Sequence, residues 1–473
     1  MQSMNFVLFL NMLLYIFTAS YIWKRNGMSA YSFLWLYYAV FASMGFLIVF
    51  LGIYDDRFYS MAYNSKFQLF PYICNYICIY LILRPFQYLK ARSPKLGLFI
   101  KIKKKKINRL VNVLCIFFSI YMLLKLGILN EYSKYSLLER REMSIAGESI
   151  VSREDNYILW LVFYGYELLH TAVFPFLIIF VFEFYEKRIL SIRKSILVVI
   201  LYFLPPFVSY VMTSNRSGLF GLFMNATFYF FFFYKVMSKR LKKIVLRTSF
   251  LSLLPVALML TLITQVRYEY SKTSVETGVL SYFGESFPNL GAYVYDQVGH
   301  HTYGMRLFPD YIKAITGISL KTDGGLQGYH KFWENYTGVK ILVFKTLFGD
   351  LYIEFGTFGS ITFVFIISML FTIYIKKSKH IYTVLAIASF YYAFCLNAVL
   401  DYGLVYGRMF VPRLIIIMLC FGVLWRKYTG IEDSLVHYRN DKQLRIIKFY
   451  IIKYLYVAMK AKSMKIASNK SQI

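Results

Sequence analysis

The chain is expected to fold as an all-α, polytopic membrane bundle of about eleven transmembrane helices, with a large extracytoplasmic loop between helices eight and nine. Three observations predict this. First, 58% of the 473 residues are hydrophobic and 20% aromatic, and mean hydropathy is +0.51, more apolar surface than a soluble chain of this length needs to bury. Second, eleven apolar runs approach the roughly 20 residues that a helix needs to cross a bilayer. Third, Lys and Arg gather in alternate gaps between those runs: 36 of them against five acids in one set of gaps, and 17 against 18 acids in the other. Positive charge stays cytoplasmic in membrane proteins, so the basic set lies inside, the N-terminus outside and the C-terminus inside. The net charge of +30 then reads as topology and as attraction to anionic lipid headgroups, not as a footprint for nucleic acid.

The first run, 4–23, is followed rather than preceded by its charges, Lys24 and Arg25. It reads as a first span, not as a cleaved signal peptide. Runs 31–54, 67–83, 110–129, 157–182, 195–213, 218–234 and 248–266 follow, of which 67–83 is short. The inside gap 84–109 contains the cationic stretch 101–106, which reads as an anchor against anionic headgroups. Spans 355–375, 381–400 and 409–425 complete the bundle. Residues 1–430 therefore form one membrane domain. Residues 431–473 form a basic cytoplasmic tail, whose apolar stretch 446–459 is too short to span and suits a helix lying in the interface. All five cysteines (Cys74, Cys78, Cys115, Cys395, Cys420) fall within spans, so no disulfide framework is expected, and Cys74 and Cys78 read as packing residues.

Two outside loops are long, 130–156 and 267–354. The second is too polar to span and too aromatic to be a linker. It is expected to fold back as short helices on the outer membrane face, and long ordered loops usually carry function. Its candidate proton acceptors are Glu285, His300, His301, Asp350 and Glu354, with Asp296 and His330 nearby in sequence. Asp350 and Glu354, four apart, share a helix face.

The sharpest local feature is the outside turn Thr213-Ser214-Asn215-Arg216-Ser217-Gly218 before span seven. Free N–H groups and the positive end of the helix dipole collect at such a start. Asn215 and Ser217 can cap it, and Arg216 adds a fixed charge, which together suit a phosphate or diphosphate. A capped hairpin whose arginine snorkels to a headgroup is the plainer alternative. Arg267 follows span eight, and Arg408 and Arg413 straddle the outer start of span eleven, Arg413 within the apolar run. An intramembrane arginine marks a functional site or a structural pair, here with a carboxylate such as Asp401. Asp55 and Asp56 read as interfacial capping residues, or as an acidic pair of the kind found in some glycosyltransferases. Lys125 and Glu167 read as an intramembrane ion pair, with a proton path as the sharper alternative. No nucleotide-phosphate loop, zinc-protease helix or nucleophile elbow is present.

Three segments carry a family resemblance: Ser214-Asn215-Arg216-Ser217-Gly218 before an apolar helix, the Gln265-Val266-Arg267-Tyr268 exit from span eight, and residues 349–359 (Gly349-Asp350-Leu351-Tyr352-Ile353-Glu354-Phe355-Gly356-Thr357-Phe358-Gly359) leading into span nine. Together with the large loop they resemble the Wzy-type polymerases of O-antigen and capsular oligosaccharide repeat units. The resemblance implies transfer of a growing glycan from one polyprenyl diphosphate to the next lipid-linked repeat unit, outside a bacterial plasma membrane. It implies no metal and no cofactor, and arginines holding the diphosphate: Arg216 and Arg267 here, with Arg408, Arg413, Asn215 and Ser217 beside them. It implies a loop base, His300 or His301. The implied partners are the polyprenyl-diphosphate-linked oligosaccharide, membrane lipids, a flippase and a chain-length regulator, with no nucleic acid. A lipid-linked oligosaccharide flippase, a lipid-linked glycan ligase and a non-catalytic assembly scaffold are the rival expectations.

Overall fold

A computed structural model describes residues 2–54, 68–91, 104–136, 139–140, 157–172, 190–212, scattered positions between 224 and 265, 275–308, 316, 325–341, 343–377 and 381–400. Among the described residues every regular element is helical. Helix α1 (Gln2–Asn26) and α2 (Ala30–Phe50) form an antiparallel hairpin. Its turn is short because Gly27 takes φ +61 and the Ser29 hydroxyl accepts the Ser32 N–H at 3.2 Å, capping α2. Lys24 and Arg25 close the last turn of α1, where the dipole favours cations.

Helix α3 (Phe70–Leu83) starts at Pro71, whose missing N–H costs nothing in a first turn, and α4 (Pro85–Ala91) resumes beyond Arg84. Then come α5 (Lys104–Tyr132), α6 (Tyr157–Ala172), α7 (Ile192–Met212), α8 (Val275–Gly284) and α9 (Ser286–Asn289), which runs into a π turn at Leu290–Val294. The last are α10 (Gly325–Thr337), α11 (Thr346–Lys377) and α12 (Ile381–Asn397).

Five of these helices are long and apolar enough to cross a membrane: Met4–Asn26, Ala30–Phe50, Val111–Asn130, Ile192–Ser209 and Thr346–Lys377. They fall on the first, second, fourth, sixth and ninth runs read from the sequence. The third, fifth and tenth runs are helical over shorter stretches, α3, α6 and α12. Residues 401–473, with the eleventh run and the basic tail, lie outside the described residues, as do loop residues 141–156.

The two ends of the bundle differ. At one end Gln87 donates to the Tyr31 hydroxyl (2.6 Å) and Lys376 sits 3.8 Å over the Tyr88 ring, which gathers two basic gaps at the start of the second run. At the other, Tyr54 donates to Asn289 (2.5 Å) and Gln68 to Asp296 (3.3 Å).

The described parts of the long loop form short helices. Part of it inserts between α1, α2 and α3. Phe287 packs edge-on to Tyr15 in mid-α1 (5.7 Å), and its carbonyl accepts the Tyr72 hydroxyl (2.9 Å). Phe283 meets Phe41 of α2 (5.5 Å). The reason is composition: Phe287, Leu290, Ala292 and Val294 are wholly buried, and the intervening Asn289 side chain is satisfied, donating to the Phe344 carbonyl at 2.9 Å. Small residues permit the approach. A Cβ on Gly284 would lie 2.7 Å from the Met44 carbonyl oxygen, so α8 and α2 touch backbone to backbone. Apolar burial gives helices little drive to associate within lipid, and such close contacts supply it instead.

Helix α11 is two helices. Gly356 takes φ +66, ψ −171, and the chain reverses there. Phe355 stacks on Phe363 at 5.3 Å, whereas eight residues of straight helix would separate them by about 12 Å. The first arm, 346–355, begins deep in the bundle. The Phe348 N–H meets the Asn75 side chain of α3 (3.3 Å), and the N–H groups of Lys345 and Thr346 share the Leu400 carbonyl (2.9 and 3.0 Å). Helix α12 ends at the same level, its Cys395 and Leu396 carbonyls accepting the hydroxyls of Tyr38 (2.6 Å) and Tyr37 (3.2 Å). Two helix ends thus meet inside the bundle with their backbone groups satisfied.

Candidate functional site

The loop residues His300–Phe308 close over the bend of α11. A bend leaves carbonyls without helical partners, and this loop supplies them. The Thr302 N–H donates to the Ile353 carbonyl (3.1 Å), and the Tyr303 N–H to that of Glu354 (2.8 Å). Tyr303 takes φ +49 and Gly304 φ +88, which turns their N–H groups onto the helix.

Beneath this loop lies a buried charge cluster. The Arg306 guanidinium, 1% exposed, donates to the Asp350 carboxylate (2.7 Å) and carbonyl (3.2 Å), and its Nε lies 2.7 Å from Glu354 Oε1. Glu354 Oε2 accepts the Thr302 hydroxyl and the Gly304 N–H (3.0 Å). Lys345 Nζ lies 3.6 Å from Asp350 and donates to the carbonyls of Ile341 (2.7 Å) and Val343 (2.9 Å). Two cations and two anions, each 2% exposed or less, leave the cluster neutral. Burial alone would lower the Arg306 pKa, but Asp350 and Glu354 more than offset it and hold the guanidinium above its ordinary value.

The carboxylates Asp350 and Glu354 thus occupy one helix face, as their spacing suggests, but face a buried arginine rather than solvent. Arg306, which organises them, was not a sequence candidate. Its one signal was an arginine set among Met305, Leu307 and Phe308.

His301 lies at the bend itself. Its ring covers the Gly356 α-carbon, so that a Cβ there would stand 3.3 Å from Nε2, and it meets Tyr352 edge-on at 5.6 Å. Its Nδ1 is 3.4 Å from the Ile353 carbonyl. His300 is exposed, tilted against Tyr336 of α10 at 5.5 Å. Glu285 is half-buried at the junction of α8 and α9, beside the α2 contact rather than at the bend. His330, on the buried face of α10, has no hydrogen-bond partner on either ring nitrogen among the described residues. Burial, with Lys345 next, lowers its pKa from 6.5.

Arg216, Arg267, Arg408, Arg413, Asn215 and Ser217 lie outside the described residues, with Asp55, Asp56 and Asp401. Lys125 sits 4.8 Å over the Phe163 ring, while the Glu167 side chain lies outside the described residues. What the described structure brings together at the bend is therefore Asp350 and Glu354, joined through Arg306, and His301 over Gly356.

These helices define an all-helical membrane protein with a loop-covered helix bend at one end. No protein-family model, no curated protein and no solved structure matches the chain.

Proposed function

We propose that the protein is a glycosyltransferase that polymerises polyprenyl-diphosphate-linked oligosaccharide repeat units on the outer face of a bacterial plasma membrane. The bundle in this reading has eleven spans, its N-terminus outside and its C-terminus cytoplasmic. One observation carries the reading: the segment 349–359, on which the resemblance to Wzy-type polymerases rests, forms the bend of α11, and the loop histidine His301 lies on it.

A hydroxyl of the incoming lipid-linked unit attacks the anomeric carbon of the growing glycan. The new C–O bond forms as the bond to the diphosphate breaks. His301 accepts the hydroxyl proton. Arg216 and Arg267, with Arg408 and Arg413 nearby, hold the departing diphosphate, whose charge guanidinium groups match bidentately. Asp350 and Glu354 are already ion-paired with Arg306, whereas the part-buried imidazole of His301 carries no ion pair among the described residues. A flippase and a chain-length regulator are the protein partners of such an enzyme.

The test is extension of synthetic polyprenyl-diphosphate repeat units by purified protein without added metal. A ladder of products is expected from the unsubstituted protein, and single-unit glycan only from Arg216→Ala and His301→Ala. Undiminished ladders from both variants, expressed at normal level, would defeat the assignment. Transfer to a different acceptor without a ladder would identify a ligase.

A further inference from the structure

We infer that Arg306 and Glu354 form a latch that sets the position of the His301 imidazole over the α11 bend, so that both are positioning residues for His301. The catalytic half of this inference rests on the function proposed above.

The imidazole has little to hold it by itself. Among the described residues its polar contact, the Ile353 carbonyl, is 3.4 Å from Nδ1, at the weak limit of a hydrogen bond, and it otherwise meets the edges of Tyr352 and Tyr303 and the Gly356 backbone. Its position is therefore inherited from the backbone that follows it. That backbone is held by N–H bonds from Thr302 and Tyr303 to the Ile353 and Glu354 carbonyls, and by one side chain. The Glu354 carboxylate accepts the Thr302 hydroxyl and the Gly304 N–H through Oε2 and is ion-paired with Arg306 through Oε1, so it meets three alternate residues of the loop. Arg306 in turn spans Glu354 and Asp350, one helical turn apart, and its own carbonyl accepts the Tyr329 hydroxyl of α10 (2.6 Å). Loop, bend and α10 are thereby tied at one point.

Burying two cations and two anions is not a cheap way to hold a loop. Apolar residues of the same volume often stabilise as well or better. What an ion cluster supplies is a single geometry, because hydrogen-bonded charges tolerate no slippage. A side chain placed to accept a proton needs that fixity, since a shift of about 1 Å can cost on the order of 100-fold in rate.

The experiment uses the full-length protein in detergent with Glu354→Gln, Glu354→Ala and Thr302→Val. It has two readouts: kcat and KM for glycan extension across pH, and the rate at which diethyl pyrocarbonate modifies His301, read at that residue by mass spectrometry. Glu354→Gln keeps an acceptor oxygen for Thr302 and Gly304 but removes the charge. It should lower kcat about 10-fold, and Glu354→Ala about 100-fold, with KM nearly unchanged. Both should speed His301 modification several-fold. Thr302→Val, which removes one donor and no charge, gives the same test if Glu354→Ala does not fold. Unchanged kcat and an unchanged modification rate in the folded variants would overturn the latch. If the unsubstituted protein extends no glycan, the proposed function fails while the modification rates still decide the latch.

Discussion

Gly356 shows how one residue can fix a site. Its φ of +66 is one that L side chains rarely adopt, and its α-carbon lies under the His301 ring. Gly356→Ala should therefore lower stability by about 1–3 kcal/mol and push the imidazole away, read as a lower unfolding temperature and shorter glycan. Arg306 carries a larger cost. Arg306→Ala would leave Asp350 and Glu354 buried without their guanidinium, a loss of about 3–5 kcal/mol measurable by denaturation in detergent. His330 predicts a pH effect. Its folded pKa is lowered by burial, so the unfolded chain binds its proton first as pH falls. The stability contribution is full above about pH 6.5 and is lost as pH falls from there toward the folded value. His330→Leu should flatten the unfolding temperature over that acid window relative to the unsubstituted protein. Sequence spacing placed Asp350 and Glu354 on one face, but their partner is 44 residues upstream in an irregular loop. Periodicity carries no information about such a pairing, so Arg306 was not legible as its centre.

Helices α8, α11 and α12 bury apolar faces, and their ends and closest approaches fix where they sit. Gly284→Ala should force α8 from α2, because its Cβ would meet the Met44 backbone at 2.7 Å, and backbone cannot yield as a flexible side chain can. A loss of about 1–3 kcal/mol is expected, checked by thermal unfolding. Thr346, a β-branched residue at φ +67, is the strained start of α11; the Leu400 carbonyl that draws two adjacent N–H groups accounts for the conformation. The apolar run that begins span nine was read correctly as helix. The reversal within it was not, because Gly349, Gly356 and Gly359 look alike in sequence and only packing shows which one bends. Likewise the stretch 275–295 reads as part of the long loop, which is too polar to cross a bilayer. Its aromatic residues nonetheless insert among α1–α3, where no water competes for them.

At the scale of the molecule, alternate-gap charge and the two-ended bundle make one testable statement. Single cysteines introduced at Gly27 and at Gln68 should label from opposite sides of the membrane, Gln68 from outside, in the orientation proposed above; labelling of both from one side would refute it. Apolar run length and the alternation of Lys and Arg determined the helical membrane class and the expected sidedness, because the cost of placing charge in hydrocarbon acts locally and can be read residue by residue. The tertiary structure alone decided that the loop enters the bundle, that α11 folds back at Gly356, and that Arg306 gathers two carboxylates beneath His301. Those depend on contacts between distant segments, where close backbone approach and the need to neutralise buried charge select one arrangement among many that the same local pattern would allow.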